Sequence, residues 1–147
     1  MGADHTCGNA LPGRGAITPN LNLDIRDRTD KAKLSRELQI LTASGDGLGL
    51  CFLAGHDLHM MEVSSDLLSA KTGLKVSCED ILDIGRETLR VEREFNRRAG
   101  FNEIDDRVPS FFREEKLPPH NTIFDIPDEE LSGYSYAWEG EINGRRD

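Results

Sequence analysis

The residues best suited to chemistry lie at 45–51, where GDGLGLC combines three glycines, one carboxylate and one thiol. Closely spaced glycines let a backbone approach a ligand without clashes from Cβ atoms. The Asp46 carboxylate can accept hydrogen bonds from an amino-bearing heterocycle, and a Cys51 thiolate can ligate a soft metal centre. A structural interpretation also fits: a glycine C-cap and an inter-helix turn with a buried Cys51. Spacing alone leaves both interpretations open.

Histidines are the other candidates for chemistry. An imidazole has an unperturbed pKa of about 6.5, so it can donate or accept a proton near neutral pH. His5 could do this, although its position between Asp4 and Thr6 also fits a solvated or capping residue. His56 and His59 are three residues apart and could form a metal pair. No third ligand is evident nearby, so helical surface residues are the preferred interpretation for both.

Two helices are predicted on either side of the GDGLGLC segment. Leu34, Leu38 and Leu41 recur at the i, i+4, i+7 spacing of one helical face. Thr29 or Asp30 is the predicted N-cap, and Gly45 is the predicted C-terminal stop. Residues 52–73 fit one interrupted helix or two short ones, ended by Thr72-Gly73.

A third helix is predicted at 78–99, and it has the strongest pattern in the chain. Ser77 and Asp80 have the spacing of a helix-capping pair, and Gly100 closes the segment. Four apolar residues lie close to one stripe of this helix: Ile81, Ile84, Val91 and Phe95. Residues 1–29 and 101–147 are rich in helix breakers, and we expect both to be irregular. The predicted class is therefore mainly α, with long non-helical N- and C-terminal segments.

Composition limits the classes of partner. With 147 residues the chain fits one domain. Its 27 acidic and 18 basic residues give a net charge of −9, which repels nucleic acid and anionic membrane surfaces. No apolar run approaches the length of a membrane span. The three cysteines form no C-x-x-C pair, which favours a reducing, cytoplasmic setting.

Three motifs give the chain a family resemblance. The D-x-x-G-L-C pattern at 46–51, GADHTCGN at 2–9 and FNRRAGFNEIDDRVP at 95–109 occur in order. Together they resemble the C-terminal helical region of tungsten-dependent aldehyde:ferredoxin oxidoreductases, over about residues 2–131. The resemblance implies that residues 1–147 are a partial C-terminal domain, an internal slice of that region.

The resemblance also implies roles for individual residues. Asp46 would hydrogen-bond one of two pterins that hold a tungsten (or molybdenum) ion, and Gly49 and Leu50 would bring backbone close to that pterin. Cys51 would be the last thiolate ligand of a [4Fe-4S] cluster. His5 would be the active-site histidine, which hydrogen-bonds a small aldehyde substrate or moves a proton during its oxidation to a carboxylate.

The chain cannot complete such a site by itself. A cubane cluster ordinarily needs four thiolates, and the sequence has three cysteines in all. Both cofactors would therefore require an N-terminal cofactor domain or a separate subunit, with ferredoxin as the electron acceptor. We expect this chain alone to be inactive. Two alternatives are a non-catalytic helical binding or assembly module and an inactive gene remnant.

Overall fold

Helices dominate the described part of the chain. The computed structural model describes residues 8–10, 17–22, 24 and 26–136, and the main-α prediction is confirmed there. The helices are α1 (Lys31–Gly47), α2 (Leu58–Thr72), α3 (Cys78–Arg98), α4 (Phe111–Glu114) and α5 (Asp128–Tyr136), with a 3₁₀ turn at Phe52–Ala54. Extended pairing in these ranges is limited to an isolated antiparallel bridge between Leu117 and Thr122. No helix in the described ranges is both long and apolar enough to cross a bilayer.

The core forms where α1 packs against α3, with smaller contacts from α2 and α5. The predicted leucine face of α1 is confirmed, because Leu34, Leu38 and Leu41 are all buried. The other buried members of this apolar cluster are Ile40 from α1, Met61 from α2, and Ile81 and Leu82 from α3. Helix α1 is thus the central element, and its C-terminal end leads directly into the GDGLGLC loop.

Helices α1 and α3 approach each other closely at Gly85. A Cβ atom placed on Gly85 would overlap the carbonyl oxygen of Ile40 and the Oγ of Ser44. Ser44 is itself fully buried, and its hydroxyl has no hydrogen-bond partner in the described ranges. The two small residues therefore serve packing, since they let one helix backbone lie against the other.

Both ends of α3 follow the sequence prediction. The Ser77 hydroxyl accepts a hydrogen bond from the Asp80 amide, and the Asp80 carboxylate accepts one from the Ser77 amide, which completes a capping box. The Ser77 hydroxyl also donates to the Asp80 carboxylate, and this hydrogen bond, together with the one from the Ser77 amide, lowers the pKa of Asp80. The helix ends at Arg98, and Gly100 follows with a left-handed φ of 95°.

The predicted apolar stripe of α3 has a divided environment. Ile81 is buried against α1, whereas Ile84, Val91 and Phe95 are exposed. The divide arises because α1 covers the side of α3 that carries Ile81 and Gly85 and leaves the adjacent side open. Periodicity identified the amphipathic helix but not which apolar positions this chain covers.

Irregular segments are tied to the helices by specific polar contacts. The buried Glu37 carboxylate accepts a hydrogen bond from the Thr18 amide at 2.8 Å, which holds the N-terminal segment against α1. The residues after 100 were predicted to be irregular, and α4 and α5 lie among them. Helix α5 begins directly after Pro127, because proline is tolerated at the start of a helix and disrupts only its interior.

We predict that Gly85→Ala lowers the free energy of unfolding by about 1–3 kcal/mol, the usual cost of overpacking a core. The added methyl must push α3 away from the Ile40 carbonyl. Urea denaturation followed by circular dichroism measures the change. Gly133→Ala in α5 is the matched control, since among residues 8–10, 17–22, 24 and 26–136 no atom lies within 4 Å of its added Cβ. Equal stability of the two variants would contradict the close approach.

Candidate functional site

The loop at 45–51 begins inside helix α1. The helix continues two residues beyond the predicted stop and ends at Gly47, so the prediction of Gly45 as terminator is corrected. Gly49 has a left-handed φ of 73°. The Gly49 amide donates to the Asp46 carbonyl at 2.9 Å and the Leu50 amide to the Gly45 carbonyl at 3.0 Å. This pair of bonds is a Schellman motif, and it requires the glycine at position 49.

Gly45 is a glycine because of a tertiary contact. The imidazole of His56 lies over it, and a Cβ on Gly45 would come within 2.6 Å of the ring atoms Cδ2 and Nε2. The Phe52 ring meets the same imidazole edge-on, with centroids 5.6 Å apart. His56 therefore packs the connection between the 3₁₀ turn and α2 onto the last turn of α1.

The surface interpretation of His56 is corrected by this contact. His56 lies in the connection before α2 and is only 4% exposed, while His59 is exposed in the first turn of α2 as expected. Neither ring nitrogen of His56 finds a hydrogen-bond partner among the described residues. Sequence reasoning missed the burial of His56, because the only local signal is the position of this histidine just before the Asp57 N-cap.

The Asp46 carboxylate has no structural partner in the ranges that the structure describes. It is exposed in the last turn of α1, with no hydrogen bond or ion pair. A negative charge at this end of a helix is unfavourable, because the carbonyl ends of the peptide dipoles already give it partial negative charge. The Asp46 carboxylate thus lowers the stability of the helix at this position, and both of its oxygens are available to a ligand.

Two described cysteines have contrasting environments. Cys51 is exposed at the start of the 3₁₀ turn, so the structural interpretation with a buried Cys51 is corrected. Cys78 is half-buried in the first turn of α3, and burial, aided by Glu62 and Glu79, raises the pKa of its thiol. Cys51 is therefore the better placed of the two to bind a metal centre, and Cys78 fits a structural role.

The sequence-predicted site residues are brought together only in part. Asp46 lies in the last turn of α1, and Gly49, Leu50 and Cys51 lie on the short connection from α1 to the 3₁₀ turn, while His5 lies outside the described residues. No atom of the described residues lies within 4 Å of a Cβ placed on Gly49, so the backbone there is open to a ligand. Across the described ranges, no group of three His, Cys, Asp or Glu side chains could hold a metal ion unaided.

Comparison with known proteins identifies the family. The family model for domains 2 and 3 of aldehyde ferredoxin oxidoreductase matches residues 1–135. The chain belongs to this family. It is 38% identical over 96 residues to the tungsten-containing aldehyde ferredoxin oxidoreductase of Pyrococcus furiosus, covering 65% of this chain and 15% of that protein. No solved structure matches the chain.

Two further relatives cover more of the chain. The tungsten-containing aldehyde ferredoxin oxidoreductases of Pyrococcus horikoshii and Thermococcus kodakarensis are each 33% identical over 128 residues. Each match covers 78% of this chain and 21% of the relative. This aldehyde ferredoxin oxidoreductase family member therefore spans about a fifth or less of the length of these curated relatives.

We predict that Asp46→Asn raises the free energy of unfolding by up to about 1 kcal/mol, because it removes a negative charge from the C-terminal end of α1. Asp80→Asn is the matched control. Its carboxylate lies at the favourable end of α3 and closes the capping box, so its neutralisation should lower stability. Parallel urea titrations measure both effects. Destabilisation by Asp46→Asn would show that the carboxylate has a structural partner.

We further predict that Gly45→Ala costs about 1–3 kcal/mol of stability, because the new methyl would overlap the His56 ring. The double variant Gly45→Ala/His56→Ala tests the cause. With the ring removed, the methyl has room, so the double variant should be more stable than the sum of the single effects by about 1 kcal/mol. Additive effects would contradict the contact.

Proposed function

We propose that this chain supplies the 46–51 loop to the cofactor site of an enzyme that oxidises aldehydes to carboxylates. The cofactors are a tungsten (or molybdenum) bis-pterin and a [4Fe-4S] cluster, and ferredoxin receives the electrons. The observation that carries the proposal is the exposure, within six residues at the end of α1, of an Asp46 carboxylate that has no partner in the described ranges and of the Cys51 thiol. Family membership supplies the chemical setting.

Asp46 and Gly49 fit the pterin side of this role. The free Asp46 carboxylate can accept hydrogen bonds from the amino and ring N–H groups of a pterin. Open space above Gly49 lets a planar heterocycle approach the main chain. The Leu50 amide is already used inside the Schellman motif, so a contact from Leu50 would come from its carbonyl oxygen or side chain.

Cys51 fits the iron side. Its thiol is exposed five residues after Asp46, so one loop would contact both cofactors. When bound, the tungsten pterin would supply the two-electron oxidation of aldehyde and water to carboxylate, and the cluster would pass the electrons on singly. A cubane cluster ordinarily has four thiolate ligands and the chain has three cysteines in all, so at least one further thiolate must come from another portion of the protein or from a separate subunit.

His5 would hold or move the proton in this reaction. Its role rests on the family motif, and an imidazole can donate a hydrogen bond to an aldehyde oxygen or take a proton near neutral pH. The chain by itself would be inactive. A cytoplasmic location fits a protein whose cysteines form no C-x-x-C pair.

A second candidate is a helical assembly module without catalysis. The observation that favours it is the set of exposed large apolar side chains on α3, which suits binding to another polypeptide. The two candidates differ at Cys51. Only the cofactor role requires the thiol, so a cysteine replacement separates them.

The decisive variant is Cys51→Ser, introduced at the native locus so that the protein assembles as it does in the source cells. We predict loss of most of the iron of one cluster, of its low-temperature EPR signal, and of aldehyde oxidation with ferredoxin. Anaerobic purification followed by iron analysis and EPR measures the effect. Cys78→Ser is the control, and it should retain iron and activity because that thiol is half-buried in α3.

Full iron content and an unchanged EPR signal in Cys51→Ser would overturn the ligand assignment. If the wild-type protein assembles with a partner but contains no iron and does not oxidise aldehydes, the second candidate is favoured instead.

A further inference from the structure

Helix α3 presents an apolar stripe that the described part of the chain leaves exposed. Ile84, Val91 and Phe95 recur at the i, i+7, i+11 positions of one face and are 40%, 53% and 72% exposed. At 1.5 Å per residue the stripe is about 16 Å long. The exposed fraction of these side chains increases with distance from the α1 contact and is highest at the aromatic residue Phe95. Large aromatic side chains in such a position commonly anchor protein interfaces.

The apolar stripe begins at the candidate site. A Cβ on Gly47 would lie 3.3 Å from Cγ2 of Ile84, so the near end of the stripe touches the loop that carries Asp46 and Cys51. On the other side of Cys51, Leu53 is 90% exposed. Apolar surface therefore flanks the loop on both sides.

Three charged residues that flank the apolar stripe, Glu87, Glu94 and Arg98, are paired within α3. Glu87, which flanks the stripe, contacts Arg90. Hydrogen bonds from Arg97 and Arg98 hold the pKa of Glu94 at about 2, so this carboxylate stays ionised and paired. A surface whose charges are neutralised locally needs no strongly charged partner. It suits an apolar one.

We propose that the apolar stripe of α3 is the docking face for the polypeptide portion that carries the remaining cluster thiolates. This inference rests on the proposed function, because it takes the partner to be the portion that completes the Cys51 site. That portion must lie against the loop to place its own cysteines near Cys51. The adjoining apolar stripe is then the surface over which it extends.

A second copy of this chain fits the face less well. Each copy would bring one Cys51, and two such thiolates leave a cubane cluster two ligands short. The half-buried Cys78, whose thiol has a raised pKa, does not remedy the deficit. The relatives that match this chain are roughly five times longer than the matched stretch, so the family has ample chain to supply the partner.

Cysteine footprinting tests the docking face directly. Phe95→Cys is introduced into the recombinant 147-residue chain and, separately, at the native locus of the source cells. A thiol reagent labels both, and peptide mass spectrometry gives the rate at each position. We predict fast labelling at position 95 in the recombinant chain. In the native assembly we predict labelling at least about 30-fold slower, the fold-change that corresponds to an interface hot spot.

Leu67→Cys is the matched control, because Leu67 is similarly exposed, at 64%, but lies on α2. It should react at the same rate in both samples. Equal labelling of Phe95→Cys in both samples would overturn the proposal. So would slow labelling in the recombinant chain that depends on its concentration, since the occupant would then be a second copy.

The same experiment separates this proposal from the proposed function. Native Cys51 is labelled in parallel, and ligation to iron would protect it. Protection at position 95 with free reactivity at Cys51 would keep the docking face and overturn the ligand role. Protection at Cys51 with free reactivity at position 95 would keep the ligand role and overturn the docking face.

Discussion

The close contact between α1 and α3 at Gly85 is the constraint on which the site depends. The absence of a side chain at Gly85 lets α3 lie against Ile40 and Ser44, and this fixes the last two turns of α1. Those turns end in the Schellman motif, which directs the chain from Gly45 through Gly49 to Cys51. Loss of the close helix contact would therefore move the loop as well as weaken the core.

Much of this fold could be predicted from the sequence, because its signals are local. The leucine spacing of α1, the capping pair Ser77 and Asp80, and the glycine stop after Thr72 each depend on residues a few positions apart. The C-terminal end of α1 was harder to predict from the sequence. Gly45 resembles a helix terminator in sequence, but its missing side chain accommodates His56, and Gly49 makes the actual turn.

The candidate site was predictable as a motif but not as a geometry. The D-x-x-G-L-C pattern located Asp46 and Cys51, and the structure adds that the Asp46 carboxylate has no partner within the part of the chain it describes and that the Cys51 thiol is exposed. The burial of His56 and the exposure of Phe95 could not be predicted, since both depend on which helix packs where. Three glycines in seven residues thus have three separate reasons: a ring contact, a close side chain and a left-handed turn.

The central claim is that this loop belongs to a metal-containing assembly. The most direct test is to fractionate an anaerobic extract of the source cells by size and to measure tungsten, molybdenum and iron alongside peptides of this sequence. The account predicts that the peptides co-elute with iron and with tungsten or molybdenum, in a species heavier than the 16.4 kDa of this chain. Elution at 16.4 kDa without these metals would contradict it.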